Sequence, residues 1–135
     1  MKKLFLILVV VIGFGIGANA QTTIKSVAVG ILENIKIGRY DQAKQIYLQN
    51  CNYAYPGSGN EHRQTIDVSI SGIRMDIREN GPITSYTVYV NTKDKDYPSV
   101  ECIIYFKNNK KTHFDLEFAC DDGKCHIVTV FRYDD

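Results

Sequence analysis

The hydrophobic period of this chain changes once, and that change constrains its fold more than any other feature. Across residues 24–35, apolar side chains recur at intervals of three and four, the spacing of an amphipathic helix. From Thr65 onward, apolar and polar residues mostly alternate, which is typical of half-buried strands. Helices followed by strands predict an α+β domain with an antiparallel sheet.

The helical part of the chain is predicted to contain two consecutive helices. The first can be capped by Thr22 or Thr23 and ends near Gly38, since glycine readily adopts the conformation that follows a helix. The second covers residues 40–49, where apolar side chains again recur with helical spacing. Residues 50–60 contain a proline and two glycines and are predicted to be a loop.

The sheet that follows is predicted to have about five or six strands. The alternation changes phase at Ser71-Gly72, and a two-residue hairpin turn there would return the apolar residues to one face. A bulged continuous strand is the alternative for this segment. Further strands are predicted at 84–91, 99–107, 113–120 and 125–133.

The last two predicted strands form a hairpin around a turn at residues 121–124. If Cys120 lies opposite Cys125, a core face is predicted that pairs Phe114, Leu116 and Phe118 with Phe131, Thr129 and Ile127. The reverse face is then expected to carry Asp115, Glu117, His126 and Arg132.

The first twenty residues have the three parts of a secretory signal peptide. Two lysines precede an apolar run, and Ala18-Asn19-Ala20 is a small-x-small cleavage site. The run is shorter than the roughly 20 apolar residues that a membrane span requires, and it contains three glycines. We therefore expect residues 1–20 to be cleaved, residues 21–135 to form a single domain without a stable membrane anchor, and the product to be secreted or periplasmic.

The charge balance gives no indication of nucleic-acid binding. The chain has 16 Lys and Arg against 15 Asp and Glu, and loss of the two signal-peptide lysines leaves a net charge of −1. Proteins that bind nucleic acid usually carry a basic stripe. No phosphate-binding loop or metal-ligand motif is present in the sequence, so we expect no nucleic acid, metal or cofactor.

The four cysteines all lie after the signal segment, and an even number in a small exported chain predicts two disulfides. Three connectivities are possible, and sequence alone does not choose among them. Hairpin geometry favours Cys120 with Cys125, which leaves Cys51 for Cys102. The functional alternative is a reactive or metal-binding thiol pair, but the chain has no C-x-x-C motif.

Two short stretches are similar to a known family. Residues 31–43 contain a helical pattern, then Gly38, then Tyr40-Asp41-Gln42-Ala43, and Asp122-Gly123-Lys124 precedes the last predicted strand. Both resemble small bacterial nuclear transport factor 2-like (cystatin-like) domains. The resemblance implies a curved antiparallel sheet around the helices and a cone-shaped pocket. It implies no catalytic residue, because this fold hosts enzymes, ligand binders and proteins of unknown role.

Polar residues on the last hairpin are the candidates for chemistry. His113 and Asp115 share a strand face, and Arg132 is expected near them across the hairpin. Such a group could transfer protons, although a solvated polar face is far more common. The adjacent Cys125 and His126 point to opposite strand faces and cannot act as nucleophile and base.

Tyrosine is the compositional feature above background, with nine tyrosines and no tryptophan. Exposed tyrosines make good contact surfaces, although packing at sheet edges is the simpler interpretation. The candidate contact residues for a ligand or partner are Tyr53, Tyr55, Tyr86 and Tyr89.

These patterns favour an exported, non-catalytic binding module for a protein or small molecule. One alternative is a small pocket enzyme of the isomerase or hydrolase type that uses His113, Asp115 or His126. Another is an inhibitor or immunity protein that acts in the periplasm.

Overall fold

The computed structural model describes residues 18–54 and 56–134, and it places three helices before a four-stranded sheet. The helices are α1 (Ala18–Lys36), α2 (Tyr40–Gln49) and α3 (Ser58–Asn80), and the strands are β1 (Ile83–Asn91), β2 (Ser99–Phe106), β3 (Lys111–Asp121) and β4 (Lys124–Asp134). The strands form one antiparallel sheet in the order β1-β2-β3-β4. The predicted α+β class is confirmed, with four strands instead of five or six. Most of the predicted signal segment and Tyr55 lie outside the described residues.

Helices α1 and α2 confirm the helical spacing in the sequence. The apolar stripe of α1 is fully buried, and it consists of Ile24, Ala28, Ile31, Leu32 and Ile35. Gly38 follows α1 with φ of 81°, a conformation that glycine adopts without steric cost. The start of α1 differs from the prediction: the helix already begins at Ala18, so Thr22 and Thr23 lie inside it, and the Thr23 hydroxyl donates to the Asn19 carbonyl at 2.8 Å.

Helix α3 corrects the predicted hairpin at Ser71-Gly72 and shortens the predicted loop. Ile66, Ile70 and Ile73 are buried, whereas Val68 and Met75 are exposed. The buried residues are three and four apart, as on one side of a helix. The exposed residues Val68 and Met75 lie on the other side. Residues four apart share a face in a strand and also in a helix. The segment therefore fits the strand pattern as well as the helical one.

The inner face of the sheet packs against the helices and forms the core. Phe114, Leu116 and Phe118 of β3 are buried together with Val100, Ile104 and Phe106 of β2. These residues alternate with more exposed ones along each strand, as expected for a sheet with one packed face. Buried apolar side chains therefore line the space between the helices and the sheet.

A β-bulge on β4 changes the predicted register of the last hairpin. Phe118 pairs with Ile127 as predicted, but the register shifts before Glu117, which pairs with Thr129. Beyond the shift, Phe114 lies opposite Arg132 instead of Phe131. The extra residue reverses the faces of the strand, because successive side chains point to opposite sides. Phe131 consequently leaves the predicted core face, and Arg132 joins it.

The disulfide between Cys120 and Cys125 is confirmed, with the two Cα atoms 4.0 Å apart. The turn that brings them together has positive φ at Asp122 and Gly123, as in the tight turns that match strand twist. The predicted bridge between Cys51 and Cys102 is wrong, since both thiols are free and buried.

Two strands of the sheet, β3 and β4, lie between the two free cysteines. Cys51 pairs with Ile127 at the outer edge of β4, whereas Cys102 lies in β2, so β3 and β4 separate them. With neighbouring strands about 4.8 Å apart, the two residues are roughly 14 Å apart. A disulfide requires Cα atoms within about 7 Å.

None of the helices in the described part of the chain is long and apolar enough to cross a membrane.

Candidate functional site

The outer face of the sheet, opposite the helices, is the candidate functional site. Its side chains belong to the strand residues that alternate with the buried core residues. Paired residues on neighbouring strands place these side chains in rows that run from β1 to β4. We define the outer face by Thr87, Tyr89, Glu101, Ile103, His113, Asp115, Glu117, Phe131 and Tyr133. In antiparallel sheets with one solvated face, these positions are usually polar.

Three aromatic side chains on the outer face are largely exposed. The exposed fractions are 64% for Tyr89, 49% for Phe131 and 47% for Tyr133. Phe131 and Tyr133 lie on β4, and Tyr89 lies on β1, which is the strand at the opposite edge of the sheet. The bulge residue Val128 adds a further exposed apolar side chain on β4. This aromatic surface lies on strands that are anchored from behind by the core.

Hydrogen bonds and ring stacking hold the centre of the outer face in place. The rings of His113 and Tyr133 are stacked, with centroids 4.5 Å apart and planes within 1° of parallel. The Tyr133 hydroxyl donates to Asp115 Oδ2 at 2.9 Å, and the backbone N–H of Cys102 donates to Asp115 Oδ1 at 3.1 Å. Both carboxylate oxygens of Asp115 are therefore engaged, and the Tyr133 ring is held by His113 and Asp115.

The outer face is acidic. It carries the carboxylates of Glu101, Asp115 and Glu117, and Glu101 accepts a hydrogen bond from the Asn91 amide at 2.8 Å. Lys111, opposite Tyr105 at the start of β3, is a basic residue on the same face by register. Negative charge and exposed aromatic rings thus share one surface.

Arg132 was expected beside His113 and Asp115, but it lies on the inner face. Its guanidinium forms a two-pronged ion pair with Asp76 of α3, with Nη2 2.8 Å from Oδ1 and 2.7 Å from Oδ2. The side chain crosses Gly72, where an added Cβ would come within 2.7 Å of Nε. Arg132 therefore connects β4 to α3 and leaves the outer face without a central cation.

The structure brings together two of the three predicted catalytic candidates and places the third elsewhere. His113 and Asp115 share the central rows of the outer face, whereas His126 lies near the Cys120–Cys125 turn beside Tyr97 and Lys124. Within residues 18–54 and 56–134, no group of three or more His, Cys, Asp or Glu side chains is placed to hold a metal ion.

The four predicted tyrosine contacts do not form one surface. Tyr89 stands on the outer face, but Tyr86 points to the inner side and donates a hydrogen bond to the Glu33 carboxylate of α1. Burial and this carboxylate raise the pKa of Tyr86 to about 12. Tyr53 lies on the helical side of the molecule, and Tyr55 is outside the described residues.

Tyr53 borders an open groove of about 590 Å³ between α2 and α3. Its ring packs edge-on against His62, and its hydroxyl donates to the Leu48 carbonyl. The groove contains acidic and basic side chains together, including an ion pair between Lys44 and Asp67 at 2.9 Å. The groove has balanced charges, because Asp41 and Asp67 line it together with Lys44 and Arg63.

A buried polar cluster lies beneath Tyr53. The Tyr47 hydroxyl is buried near Cys51 and Thr129, and the Cys51 thiol donates to the Tyr47 carbonyl at 3.2 Å. Burial raises the pKa of Tyr47 and raises that of Cys51 to about 12. Both groups therefore stay protonated at neutral pH, and Cys51 is a poor nucleophile.

Phe131 and Tyr133 were missed because the sequence contains no explicit sign of the bulge. The available signal was the need to bury both Ile127 and Val130, which are three residues apart and cannot share a face of a regular strand. Placing the bulge between them would have moved Phe131 and Tyr133 outward.

The comparisons with known proteins support the fold. No family model and no curated protein matches the sequence. The structure is similar to the crystal structure of a Campylobacter jejuni protein named as an NTF2-like transpeptidase, with a TM-score of 0.55 and 12% sequence identity. The match covers 82% of this chain and 97% of that chain. The chain thus has the NTF2-like fold, and at this identity the likeness extends to the fold alone.

Proposed function

We propose that the protein is an exported, non-catalytic binding module whose outer face binds a cationic surface of another protein. The observation that carries the proposal is the combination of exposed aromatic rings and three carboxylates on one face of the sheet. The NTF2-like fold is compatible with a binding role but does not assign one.

Aromatic side chains are the first line of support. Tyr89, Phe131 and Tyr133 expose about half or more of their surface. Aromatic residues are enriched at protein interfaces, because they bury a large area at a small cost in side-chain entropy. Tyr133 is already ordered by His113 and Asp115, which reduces that cost further.

Charge determines the kind of partner that fits. Glu101, Asp115 and Glu117 give the outer face a negative potential, which attracts lysine and arginine side chains. The rings of Tyr89 and Phe131 provide cation–π surfaces for the same groups. A second copy packed face to face fits poorly, because its carboxylates would oppose those of the first.

Export rests on the sequence and agrees with the disulfide. The N-terminal segment has the features of a signal peptide, and the Cys120–Cys125 bridge is stable in an oxidising compartment. If the cationic partner is an enzyme or a toxin, the same binding would block it, which is the inhibitor or immunity alternative.

The test is an NMR titration of the isotope-labelled protein with two peptides of equal length, one rich in lysine and arginine and one rich in glutamate. The proposal predicts saturable shifts with the basic peptide alone, largest at Tyr89, Asp115 and Phe131 and weaker at high salt. Shifts confined to the α2–α3 groove, or an equal response to both peptides, would contradict it.

A charge-matched pair of variants sharpens the titration. Glu101→Gln with Glu117→Gln should weaken binding of the basic peptide. Asp41→Asn with Glu79→Gln removes the same charge from exposed helical positions and should leave binding nearly unchanged. An equal loss in both variants would show that net charge alone attracts the peptide.

A further inference from the structure

The two edges of the sheet are protected to different degrees. At the β4 edge, the N–H of Asn52 donates to the Ile127 carbonyl at 3.3 Å, and the N–H of Ile127 donates to the Asn50 carbonyl at 2.7 Å. Helix α3 is tied to the same strand by the ion pair between Asp76 and Arg132. In the described part of the chain, no strand or bridge pairs with the other side of β1.

The composition of β1 leaves this edge without the usual protection. Its nine residues, Ile83–Asn91, include no charged residue, no proline and no glycine. Natural sheets protect exposed edges with lysine, proline or bulges, because free backbone N–H and C=O groups recruit other strands. The bulge in β1 lies between Ile83 and Ser85, at one end of the strand. The segment from Ser85 to Asn91 is a regular, uncharged edge.

We propose that two copies of this chain associate through antiparallel pairing of their β1 edges, with a two-fold axis beside Thr87. Thr87 is the midpoint of β1, so pairing over the full strand places it opposite Thr87 of the second copy. In the same register, Tyr86 faces Val88 and Ser85 faces Tyr89 of the second copy.

This register is self-complementary. Aromatic with β-branched pairs and Thr–Thr pairs stabilise neighbouring strands, and the two-fold axis repeats every unlike pair. No like charges meet at the junction, since β1 carries none. In a two-fold pairing each contact between unlike residues occurs twice, so one favourable pair stabilises the dimer at two places.

The pairing has a defined strength and geometry. An interface made by one strand pair is at the small end of the known range, so the dimer is expected to be concentration-dependent, with a micromolar or weaker Kd. The two-fold axis is perpendicular to the sheet, so both outer faces lie on the same side of an eight-stranded sheet. The backbone pairing itself requires no partner on the outer face, but Thr87 and Tyr89 of that face lie at the junction.

Sedimentation velocity of the purified protein over a dilution series tests the proposal. The wild type should show a monomer–dimer equilibrium. Thr87→Lys places two like charges at the two-fold axis and should weaken the dimer about tenfold or more. Val128→Lys introduces the same charge at an exposed position of β4 and should leave the equilibrium unchanged. A wild type that remains monomeric at every concentration, or equal weakening by both variants, would overturn the proposal.

Oxidative cross-linking gives the position of the contact independently of lysine substitution. Cys51 and Cys102 are buried and Cys120 is bonded to Cys125, so a cysteine introduced at position 87 is the accessible thiol. Thr87→Cys should yield a disulfide-linked dimer on a non-reducing gel, and Val128→Cys should not. Cross-linking at position 128 but not at 87 would place the contact on the other edge and refute the β1 pairing.

Discussion

The inner and outer faces of the sheet both carry aromatic side chains, but those on the inner face are buried and those on the outer face are exposed. Phe114 on β3 is completely buried on the inner face, whereas Phe131 on the neighbouring strand is half exposed on the outer face. Residue type does not distinguish them. The bulge on β4 turns Phe131 away from the core, because one extra residue exchanges the faces of that strand. The inner face stabilises the fold, and the outer face is free to bind.

The largest expected difference between the faces is in stability. Phe114→Ala should lower the free energy of unfolding by about 3–5 kcal/mol, because it removes a fully buried ring. Phe131→Ala should change it by no more than about 1 kcal/mol. Urea unfolding of both variants measures the difference, and equal losses would show that Phe131 belongs to the core.

A pair of helical glycines tests the connection between α3 and the inner face. Gly72→Ala brings a Cβ to 2.7 Å from Arg132 Nε and should displace the guanidinium from Asp76, with a cost of about 1–2 kcal/mol. Gly30→Ala is the control in α1, where the nearest atom is Ile46 Cδ1 at 3.5 Å, and it should stabilise the protein by up to about 1 kcal/mol.

Thermal or urea unfolding of these two variants gives the sign directly. Opposite signs support the role of Gly72 as the passage for Arg132. Stabilisation by both substitutions would contradict the position of Arg132 against Gly72.

The helices α1 and α2, the four strands and the hairpin disulfide could be predicted from the sequence, because each depends on residues close together in the chain. Helix α3 could not, since Ile66, Ile70 and Ile73 satisfy both periods. The free state of Cys51 and Cys102 depends on which strands lie between them, and local sequence does not contain that information. The outer face was missed for the same reason, because one bulge decides its composition.

Raising the pH above 9 should lower the stability of the protein by a smaller amount, through the Cys102 thiol on the inner face. Burial, with the nearby carboxylates of Asp115 and Glu101, raises the pKa of Cys102 from 9.0 to about 12. The unfolded chain therefore ionises this thiol first, and stability that is fully present below about pH 9 is lost as the pH rises toward 12. The contribution of Cys102 between about pH 9 and pH 10 is about 1 kcal/mol.

Comparison of the wild type with Cys102→Ala isolates this contribution. Each protein is unfolded with urea at both pH values, and the loss on raising the pH should be smaller in the variant. Identical losses would show that Cys102 is not buried in the core.

Site-specific photocross-linking in the producing cell tests the central claim most directly. A photoreactive phenylalanine analogue is placed at Tyr89 or Phe131 on the outer face, and at Tyr53 on the helical side as the control. The account predicts that both outer-face positions capture one and the same basic protein, and that Tyr53 does not. Capture of that protein from position 53 alone, or of an acidic protein from the outer face, would contradict it.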